Sequence, residues 1–552
     1  MYDQRPWLKQ YPPGVPANIN ADQYPTLLDL FSETFEKYRS KKAFNCMGGE
    51  LTYDQLDKHS LNFAAYLHSR GLNPGDRIAL MMPNLLQYPI ALFGSLRAGL
   101  VIVNTNPLYT PREMKFQFMD SGAKAIVIAD NFASHLQEIL AETSINTIIT
   151  TSIGEMLGFL KGGMVDFVVK HIKGMVPKYE LPNTVKFKYA LKEGEKFTIK
   201  SFVGKPDDVI MLQYTGGTTG VAKSAMLTNQ NLVANMLQIR AIMMPFLEEG
   251  KETVLSPLPL YHIFAFSVNC LALLSFGAYT VLVTNARDLP SVIKEFKKHP
   301  ISLFTGVNTL YNALLNHSGF ENCDFSKLKI SVAGGMAVQK SVAEKWQKVT
   351  GCQLAEGYGL TETSPVACVN PLDGHARLGY IGLPVPSTEM RVVDEKGNLV
   401  NVGESGEIQI KGPQVMKGYY NQPAETLKCL KDGWFSTGDV GFMEEDGFFK
   451  IVDRIKDMIL VSGFNVYPNE IEEVAIMHPK VLEAAAIGVP DDKSGEHVKL
   501  FIVKKDKSLK ESELMDFCRE NLTGYKLPKE IEFRDSLPKT NVGKILRRAL
   551  RQ

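Results

Sequence analysis

The 552-residue sequence lacks several features that would assign it to a class at once. Its seven cysteines include no C-x-x-C pair, so neither a zinc site nor a disulfide framework is predicted, and we expect reduced thiols in a cytosolic protein. Basic and acidic side chains number 61 and 60, a balance that gives no reason to expect nucleic acid as a partner. The polar, proline-rich N-terminus has neither the basic start nor the apolar run of a signal peptide.

One uncharged run, IFAFSVNCLALLSFGAYTVLV at residues 263–283, has the length of a membrane helix. Gly277 divides it into a helical half and a β-branched half, and no cluster of Lys or Arg flanks it closely. We therefore predict a buried helix followed by a buried strand, with a membrane span as the less favoured alternative.

The order of helical and strand-like segments indicates the architecture. Residues 53–71 have apolar side chains at helical spacing, residues 76–84 read as a buried strand, and the alternation continues and then resumes at 206–335. This pattern predicts an α/β large N-terminal domain with parallel-rich sheets. After about Asp394, short strands punctuated by glycine predict a β-rich subdomain.

The last part of the chain has the pattern of a compact unit from about Asp453. Strand, helix, strand, strand, helix and strand follow one another, which predicts a small α+β C-terminal domain. We place the domains at 1–453 and 454–552.

A lysine-rich insert at residues 154–192 stands out within the large domain. Acidic residues such as Asp166 and Glu180 are few, and many apolar residues separate the lysines, which are Lys161, Lys170, Lys173, Lys178, Lys186, Lys188 and Lys192. A basic amphipathic stretch of this kind binds anionic membrane surfaces, so peripheral membrane contact is one hypothesis. A surface flap with solvated lysines is the other.

The stretch QYTGGTTGVAKSAML, residues 213–227, combines glycines, threonines and one lysine. A Walker A loop needs glycine immediately before the lysine, whereas Ala222 precedes Lys223. The glycines nevertheless allow successive N–H groups to converge on an anion, and the threonine hydroxyls and Lys223 would add donors and charge. Taken alone, the pattern fits a phosphate-binding loop and a glycine-rich turn equally well.

Four further stretches follow along the chain: EGYGLTETSP, DGWFSTGDVG, KIVDRIKDMILVSGFNVYPNEIE and LPKTNVGKILRRALR. Singly, each has an ordinary explanation, with residues 361–363 as a helix cap, Asp439 as a turn aspartate and Lys544 as one charge on a basic helix. Together with YTGGTTGVAK and in this order, they are hard to obtain by chance. Over essentially its whole length the sequence resembles the adenylate-forming family, also called AMP-binding enzymes or acyl-CoA synthetases.

The resemblance is greatest to the members that activate long-chain fatty acids, and it implies an ATP-dependent ligation of the fatty acid to coenzyme A. An acyl-AMP would form with release of pyrophosphate, and the thiol would then displace AMP. ATP and coenzyme A would be substrates and Mg²⁺ the cofactor. A carboxylic acid with a pKa of about 4 to 5 is already ionised at neutral pH, so the chemical difficulty is to bring two anions together.

The resemblance also implies roles for the residues that match the family's motifs. The ATP phosphates would be held by Thr215, Gly216, Gly217, Thr218, Thr219, Gly220 and Lys223. The adenosine and the α-phosphate would contact Gly335, Glu356, Tyr358, Gly359, Thr361, Asp439 and Arg454. Mg²⁺ would be bound by Glu362, with Thr215 nearby. One departure is Ser224, where relatives often have glycine after the lysine.

Two further roles concern the acyl group and the second step. His262 would lie near the carboxylate end of the acyl site, with a satisfied core histidine as the alternative, and Lys544 would be the catalytic lysine. Because Lys544 cannot stay in place while coenzyme A enters, the small domain would rotate about Asp453. Gly463 and Phe464 would then line the coenzyme A channel.

Other functions remain open at this point. The chain could ligate an aromatic or medium-chain acid, act as a luciferase-like oxygenase, or load a carrier protein, although it ends soon after Lys544 without a carrier domain. It could also be a nucleotide- or lipid-binding scaffold without turnover. The joint presence of Lys223, Glu362, Asp439 and Lys544 argues against the scaffold. A homodimer is a further expectation.

Overall fold

The structure is a computed structural model that describes residues 2–200, 202–215, 222–462, 464–491, 494–540 and 543–551. Within these residues the strands form four sheets, here called sheets I to IV. Sheets I and II are large and mostly parallel, sheet III is antiparallel, and sheet IV belongs to the C-terminal part.

Sheet I has eight strands in the described part of the chain. In spatial order they are Gly418–Tyr419, Lys223–Thr228, Val209–Thr215, Val101–Asn104, Arg77–Met81, Ala125–Ala129, Thr147–Thr151 and Val185–Lys186. Lys223–Thr228 pairs antiparallel with both of its neighbours, and the remaining pairs are parallel. Sheet I therefore has the parallel core that the sequence predicts, with an antiparallel edge.

Sheet II has nine strands among the described residues. In spatial order they are Leu383–Pro384, Val366–Val369, Leu354–Gly359, Ile330–Gly334, Leu303–Gly306, Thr253–Ser256, Tyr279–Leu282, Lys42–Cys46 and Gly49–Thr52. Pairing is parallel from Leu354–Gly359 to Lys42–Cys46 and antiparallel at both edges. Ligands of such sheets bind beyond the carboxyl ends of parallel strands, and the site described below lies there.

The helices of the large domain cover these sheets. They are Leu27–Lys37, Tyr53–Ser69, Gln87–Arg97, Pro111–Ser121, Ala133–Ile139, Phe159–Phe167, Phe187–Gly194, Asn229–Met243, Ile263–Ala265, Leu273–Ser275, Leu289–Lys298, Asn308–Leu315, Lys340–Thr350 and Pro423–Cys429. Two π-helical segments are Val168–Ile172 and Phe266–Ala272. Short 3₁₀ turns are Tyr2–Gln4, Pro6–Gln10, Ala21–Gln23, Asp130–Phe132, Leu140–Glu142, Met244–Phe246, Thr361–Thr363, Gly524–Lys526 and Arg547–Leu550.

Local sequence explains where several helices begin. Helix Tyr53–Ser69 starts after Thr52, whose hydroxyl accepts the Gln55 N–H while the Gln55 side chain accepts the Thr52 N–H. The same capping box precedes the helices that start at Leu27, Pro111 and Asn229. Losing a cap of this kind costs about 1 kcal/mol. The predicted helix over 53–71 is thus confirmed, with its end at Ser69.

The long apolar run at 263–283 is buried, as predicted. Helical residues Ile263–Ala265, Phe266–Ala272 and Leu273–Ser275 precede the strand Tyr279–Leu282. Gly277 between them has φ of 79°, a left-handed conformation that favours glycine. Among the described residues, no helix is both long and apolar enough to cross a membrane.

Sheet III is the predicted β-rich subdomain. Its strands are Glu389–Val393, Gly406–Lys411, Trp434–Met443, Leu430–Lys431 and Phe449–Arg454, and all its pairs are antiparallel. The alternative that makes Asp439 an ordinary turn aspartate is wrong, because this residue lies inside the strand Trp434–Met443. The strand bulges where Gly438 has φ of 72°, so the glycine supplies an irregularity in a strand and no chain reversal.

Sheet IV and two helices form the C-terminal α+β unit. The strands are Phe464–Val466, Ile459–Val461, Gly495–Lys504, Val481–Asp491 and Glu530–Arg534, and the helices are Pro468–Met477 and Glu511–Asn521. Ile459, Ile471, Leu500 and Leu514 are fully buried in a core of this unit's own. The predicted fold class, a large α/β N-terminal domain with a β-rich subdomain plus a small α+β C-terminal domain, is confirmed.

Candidate active site

Lys544 lies at a tight turn of the C-terminal unit that reaches the large domain. The Thr540 N–H donates to the Lys544 carbonyl at 2.6 Å, and the Lys544 N–H donates to the Thr540 hydroxyl at 3.1 Å. The alternative that placed Lys544 on a basic helix is therefore wrong. A Cβ atom added to Gly335 would lie 3.4 Å from Lys544 Cε, so the lysine stem passes directly over that glycine.

Two glycines allow this close approach. Gly335 follows the strand Ile330–Gly334 of sheet II with φ of 80°, and Gly543 precedes the lysine with φ of 82°. A Cβ atom on Gly543 would lie 2.6 Å from the Thr309 hydroxyl of the large domain. Both positions combine a left-handed backbone with a neighbour at short range, a combination that only glycine tolerates well.

The ammonium group of Lys544 has an unusual electrostatic environment. Its pKa is lowered to about 8, chiefly by burial and next by the positive charge of Arg454, while the carboxylates of Asp439 and Glu362 act in the opposite direction. Burial disfavours the charged form of a lysine, and an anion bound beside it would favour that form again. The group is therefore suited to meet a bound anion.

His262 lies close enough to Lys544 to be affected by its charge. Burial, and then the charge of Lys544, lowers the pKa of His262 to about 4, so the imidazole is neutral at pH 7. Its Nδ1 accepts the Phe264 N–H at 3.4 Å at the start of the helix Ile263–Ala265. With Nδ1 accepting, the ring proton is assigned to Nε2, and His262 can donate one hydrogen bond there.

Asp439 is the centre of a buried polar group formed by sheets II and III. The Tyr358 hydroxyl donates to Asp439 Oδ2 at 2.6 Å, and Arg454 Nε is 3.0 Å from Asp439 Oδ1. Asp439 and Arg454 are also paired across their two strands, and the Asp439 N–H donates to the Thr437 hydroxyl at 3.0 Å. The Asp439 side chain is 4% exposed, so the carboxylate is held in one orientation.

Glu356 and Gly359 belong to the same sheet II strand as Tyr358. Burial raises the pKa of Glu356 to about 8, so its carboxyl group keeps its proton at pH 7, and its Oε2 lies 3.4 Å from the Val338 nitrogen. A Cβ atom on Gly359 would lie 1.8 Å from the Pro365 carbonyl oxygen, which explains why glycine stands there. The neighbouring chain thus closes tightly over the end of this strand.

Thr361 and Glu362 lie in the short 3₁₀ turn Thr361–Thr363 that follows. The Tyr419 hydroxyl donates to Glu362 Oε1 at 2.7 Å, and the Met416 N–H donates to the Glu362 carbonyl at 2.8 Å. Burial, with the charge of Glu362 next, raises the pKa of Tyr419, so this phenol remains a donor. Glu362 is thereby oriented from one side.

Lys223 is held by residues that the sequence analysis did not single out. Its ammonium group pairs with Glu425 and lies 5.2 Å from the centre of the Tyr419 ring. The hydrogen bond from Lys223, with that from Lys428 next, lowers the pKa of Glu425 to about 2. The stretch KGYYNQPAET, which contains both partners, has no anion-binding pattern that would have revealed them.

The two ends of the predicted phosphate loop lie side by side. Thr215 ends one strand of sheet I and Lys223 begins the next, and the two residues are paired in register. The Thr215 hydroxyl lies 3.4 Å from the Lys223 carbonyl oxygen. The predictions for Gly216, Gly217, Thr218, Thr219 and Gly220 lie outside the described residues.

The predicted hinge residue Asp453 directly precedes Arg454, and the predicted channel residues Gly463 and Phe464 follow along the chain. Asp453 is fully buried, and its carboxylate accepts the Arg454 N–H at 2.7 Å and the Asn469 N–H at 2.9 Å. Phe464 is exposed and stacks on Tyr525, with ring centres 4.6 Å apart. Gly463 lies outside the described residues, so its role in the coenzyme A channel stays a prediction.

Carboxylate and hydroxyl oxygens near the loop fit a hard divalent cation. Glu362 Oε1 accepts the hydrogen bond from the Tyr419 hydroxyl, and Thr215 has a hydroxyl at the end of its strand. In the described ranges no cluster of three or more His, Cys, Asp or Glu side chains is arranged to hold a metal. Mg²⁺ commonly uses one or two carboxylates together with substrate phosphates, and Glu362 with Thr215 fits that mode.

A lysine from the C-terminal unit thus lies over a glycine of the large domain, within electrostatic reach of a buried aspartate and of Glu362. Two family models match the chain: "AMP-binding enzyme" matches residues 31–420, and "AMP-binding enzyme C-terminal domain" matches residues 470–544. The chain belongs to the AMP-binding enzyme family.

Similar proteins span nearly the whole chain. A protein named long-chain-fatty-acid–CoA ligase from Escherichia coli O157:H7 is 55% identical over 546 residues, which cover 99% of this chain and 97% of that protein. The ATP-bound structure of MatB from Rhodopseudomonas palustris is 27% identical, with a TM-score of 0.82, and covers 97% of this chain and 98% of that one. The apo structure of the same MatB, with the same coverage, has a TM-score of 0.73.

Proposed function

We propose that the protein ligates a long-chain fatty acid to coenzyme A in an ATP-dependent reaction through an acyl-AMP intermediate. Pyrophosphate leaves in the first step and AMP in the second. The observation that carries the proposal is Lys544, placed over Gly335 and within electrostatic reach of Asp439 and Glu362. The choice of a long-chain fatty acid and coenzyme A as substrates rests on the names of relatives that are 51–55% identical.

ATP binding is assigned to residues that lie in, or directly after, strands of sheets I, II and III. Asp439, fixed by Tyr358 and Arg454, has lone pairs left to accept hydrogen bonds from the ribose hydroxyls. Gly335, Glu356 and the Gly359 end of the same strand would line the adenine slot. Lys223 would exchange Glu425 for phosphate oxygens, together with Thr215 and the loop 216–221.

Lys544 acts on the reacting atoms in the first step. The fatty carboxylate attacks the α-phosphorus of ATP, a bond forms between the carboxylate oxygen and phosphorus, and the bond to pyrophosphate breaks. Charge builds on the α-phosphate oxygens, and a protonated Lys544 placed between the two anions stabilises it. Thr361 would donate to an α-phosphate oxygen, and His262 would donate its Nε2 proton towards the carboxylate end of the acyl site.

Glu362 and Thr215 are the residues proposed to hold Mg²⁺. When bound, Mg²⁺ neutralises phosphate charge and so reduces repulsion of the incoming carboxylate. Tyr419 keeps Glu362 oriented for this role through the 2.7 Å hydrogen bond to Oε1.

The second step requires Lys544 to leave so that the thiol of coenzyme A can reach the acyl-AMP. We keep the domain boundary at 453/454 as a proposal: residues 1–453 bind the acyl-adenylate, and residues 454–552 rotate about Asp453. The TM-score is higher against the ATP-bound structure of MatB than against its apo structure, which supports an overall arrangement closer to the ATP-bound one. After rotation, Gly463 and Phe464 would face the thiol path.

Location and assembly are further parts of the proposal. We place the protein in the cytoplasm, in keeping with the absence of any disulfide among its seven cysteines. The insert 154–192 would make peripheral contact with a membrane. A homodimer stays a prediction, to be checked by sedimentation equilibrium.

The experiment that tests the function is product analysis with ATP, Mg²⁺ and palmitate, with and without coenzyme A. AMP and pyrophosphate should form, dependent on the fatty acid, with multiple turnovers only when coenzyme A is present. ADP and phosphate would contradict the proposal. Turnover of an aromatic or medium-chain acid in place of palmitate would keep the reaction and change the substrate.

A further inference from the structure

One helical segment of the insert presents large apolar side chains to solvent. The α-helix Phe159–Phe167 continues into the π-helical turn Val168–Ile172. The most exposed apolar residues along it are Phe159 at 93%, Leu160 at 84%, Ile172 at 69%, Met164 at 64% and Phe167 at 58%. Surface helices normally bury such residues, so an outward apolar face points to a binding partner.

The opposite face of the same helix fixes this orientation. Gly162 is buried, and a Cβ atom there would lie 2.3 Å from the Gly154 carbonyl oxygen, so the helix packs directly on the backbone. Asp166 accepts hydrogen bonds from the Ser152 hydroxyl and from the Gly154 N–H, both at 2.7 Å. The acidic side chain of this helix therefore turns towards the protein, and its apolar side chains turn away from it.

Exposed lysines lie in and directly after the same helical segment. Lys170, Lys173 and Lys178 are exposed, and none of them forms an ion pair with another residue in the part of the chain that the structure describes. Lys186, by contrast, is neutralised by Asp130 at 2.8 Å. Apolar side chains flanked by unpaired cations match an anionic lipid surface, whose headgroups and acyl boundary offer both complements.

We infer that the face formed by Phe159, Leu160, Met164, Phe167 and Ile172, here called the apolar face, docks on an anionic lipid bilayer. Its side chains enter the boundary between headgroups and acyl chains, and Lys170, Lys173 and Lys178 contact the headgroups. A second copy of the chain is a poorer partner, because pairing two such faces would bring their lysines together. The inference names the surface for the peripheral contact proposed above, and it does not depend on catalysis.

Co-sedimentation with vesicles tests the inference on the full-length protein. We expect binding to vesicles of phosphatidylcholine and phosphatidylglycerol at low salt, weaker binding at 0.5 M NaCl (on the order of tenfold, because counter-ions screen the lysines), and little binding to pure phosphatidylcholine. Failure to bind the anionic vesicles at low salt would overturn it. Equal binding to both lipid compositions would overturn the assignment to anionic lipid.

Matched variants locate the binding surface. Phe159→Ser with Leu160→Ser should weaken vesicle binding by more than tenfold, and Lys170→Gln with Lys173→Gln should remove most of the salt dependence. Leu399→Ser, at another exposed leucine outside the insert, should bind like wild type and controls for lost surface hydrophobicity. If the Phe159/Leu160 variant bound vesicles as well as wild type, the inference would be contradicted. It would also be contradicted if wild type were a dimer and this variant a monomer on sedimentation equilibrium, because the face would then join two copies of the chain.

A fluorescent reporter tests insertion directly and does not require loss of function. Phe159→Trp should show a blue shift of its emission on addition of anionic vesicles and should be quenched by brominated acyl chains. Leu399→Trp should show neither change. If the vesicles sediment the Phe159→Trp variant but leave its emission spectrum unchanged, the apolar face is not the membrane contact. That result would overturn the inference.

Discussion

The aspartate and the lysine of the proposed active site are held in opposite ways. Asp439 has a partner on each carboxylate oxygen, Tyr358 and Arg454, and its side chain is 4% exposed. Lys544 lies within reach of several charges, yet its ammonium group makes no hydrogen bond to any residue in the described ranges, and burial lowers its pKa to about 8. The difference indicates that the end proposed to bind the ribose is preformed, whereas Lys544 is expected to become fully paired only when the proposed anionic substrates bind.

The largest expected effect comes from removing the lysine. Lys544→Ala should slow acyl-AMP formation by on the order of 10²- to 10³-fold, because one preorganised donor to a developing charge is commonly worth about 3–4 kcal/mol. Palmitate-dependent exchange between ATP and pyrophosphate measures this step alone. Lys539→Ala, which removes another lysine of the same turn region, controls for folding; an equal loss in that variant would contradict a specific role for Lys544.

A smaller effect is expected at the preformed end. Asp439→Asn keeps the shape but loses the charged acceptor, so the affinity for ATP should fall by about tenfold, since hydrogen bonds to charged groups contribute roughly 1.5–3 kcal/mol and Arg454 is partly solvated. Tyr358→Phe, which removes one of the two partners, should cost less. Titration of ATP in both variants measures this, and an effect on turnover with unchanged affinity would contradict the assignment to the ribose.

The lysine's environment predicts a pH dependence. Because burial lowers the pKa of Lys544 to about 8, its charged form is lost at lower pH than for an ordinary lysine, and kcat/KM for acyl-AMP formation should fall as the pH rises above about 8. Lys544→Arg keeps its charge at all these pH values. A pH profile that declines in wild type and is flat in the arginine variant is expected; the same decline in both would assign it to another group.

The smallest expected effect concerns Glu425. This carboxylate pairs with Lys223. In the proposed site ATP phosphates replace it, so Glu425→Gln should lower the KM for ATP by a few-fold (tenfold corresponds to about 1.4 kcal/mol). Lys428→Gln removes the second partner of Glu425 and should change the KM little or raise it. A higher KM in the glutamine variant would show that Glu425 helps to hold ATP.

Sequence alone was a good guide to the elements and a poorer guide to what they bring together. The helix Tyr53–Ser69 could be predicted because apolar spacing, a capping box and a glycine stop all agree. The stretch DGWFSTGDVG suggests a turn aspartate at Asp439, whereas the positive φ of Gly438 makes a bulge within a long strand. A glycine reports a local backbone conformation and does not say whether the chain reverses.

The partners of the site residues are what sequence reasoning could not supply. Glu425 is 202 residues from Lys223 along the chain, and Tyr419 is almost as far away. The pairing of Gly418–Tyr419 with Lys223–Thr228 at the edge of sheet I brings them together. The insert gives a similar lesson. Its sequence shows that lysines and apolar residues are mixed, but Gly162 packing on Gly154 decides that the apolar face points outwards.

The central claim is that Lys544 serves the first step and leaves for the second. The most direct test supplies preformed palmitoyl-AMP and coenzyme A to Lys544→Ala and to wild type, and measures the rate of palmitoyl-CoA formation. If Lys544 serves the first step and leaves for the second, the variant should form the thioester within a few-fold of the wild-type rate despite its failure to make acyl-AMP. A loss of thioester formation as large as the loss of acyl-AMP formation would contradict the account.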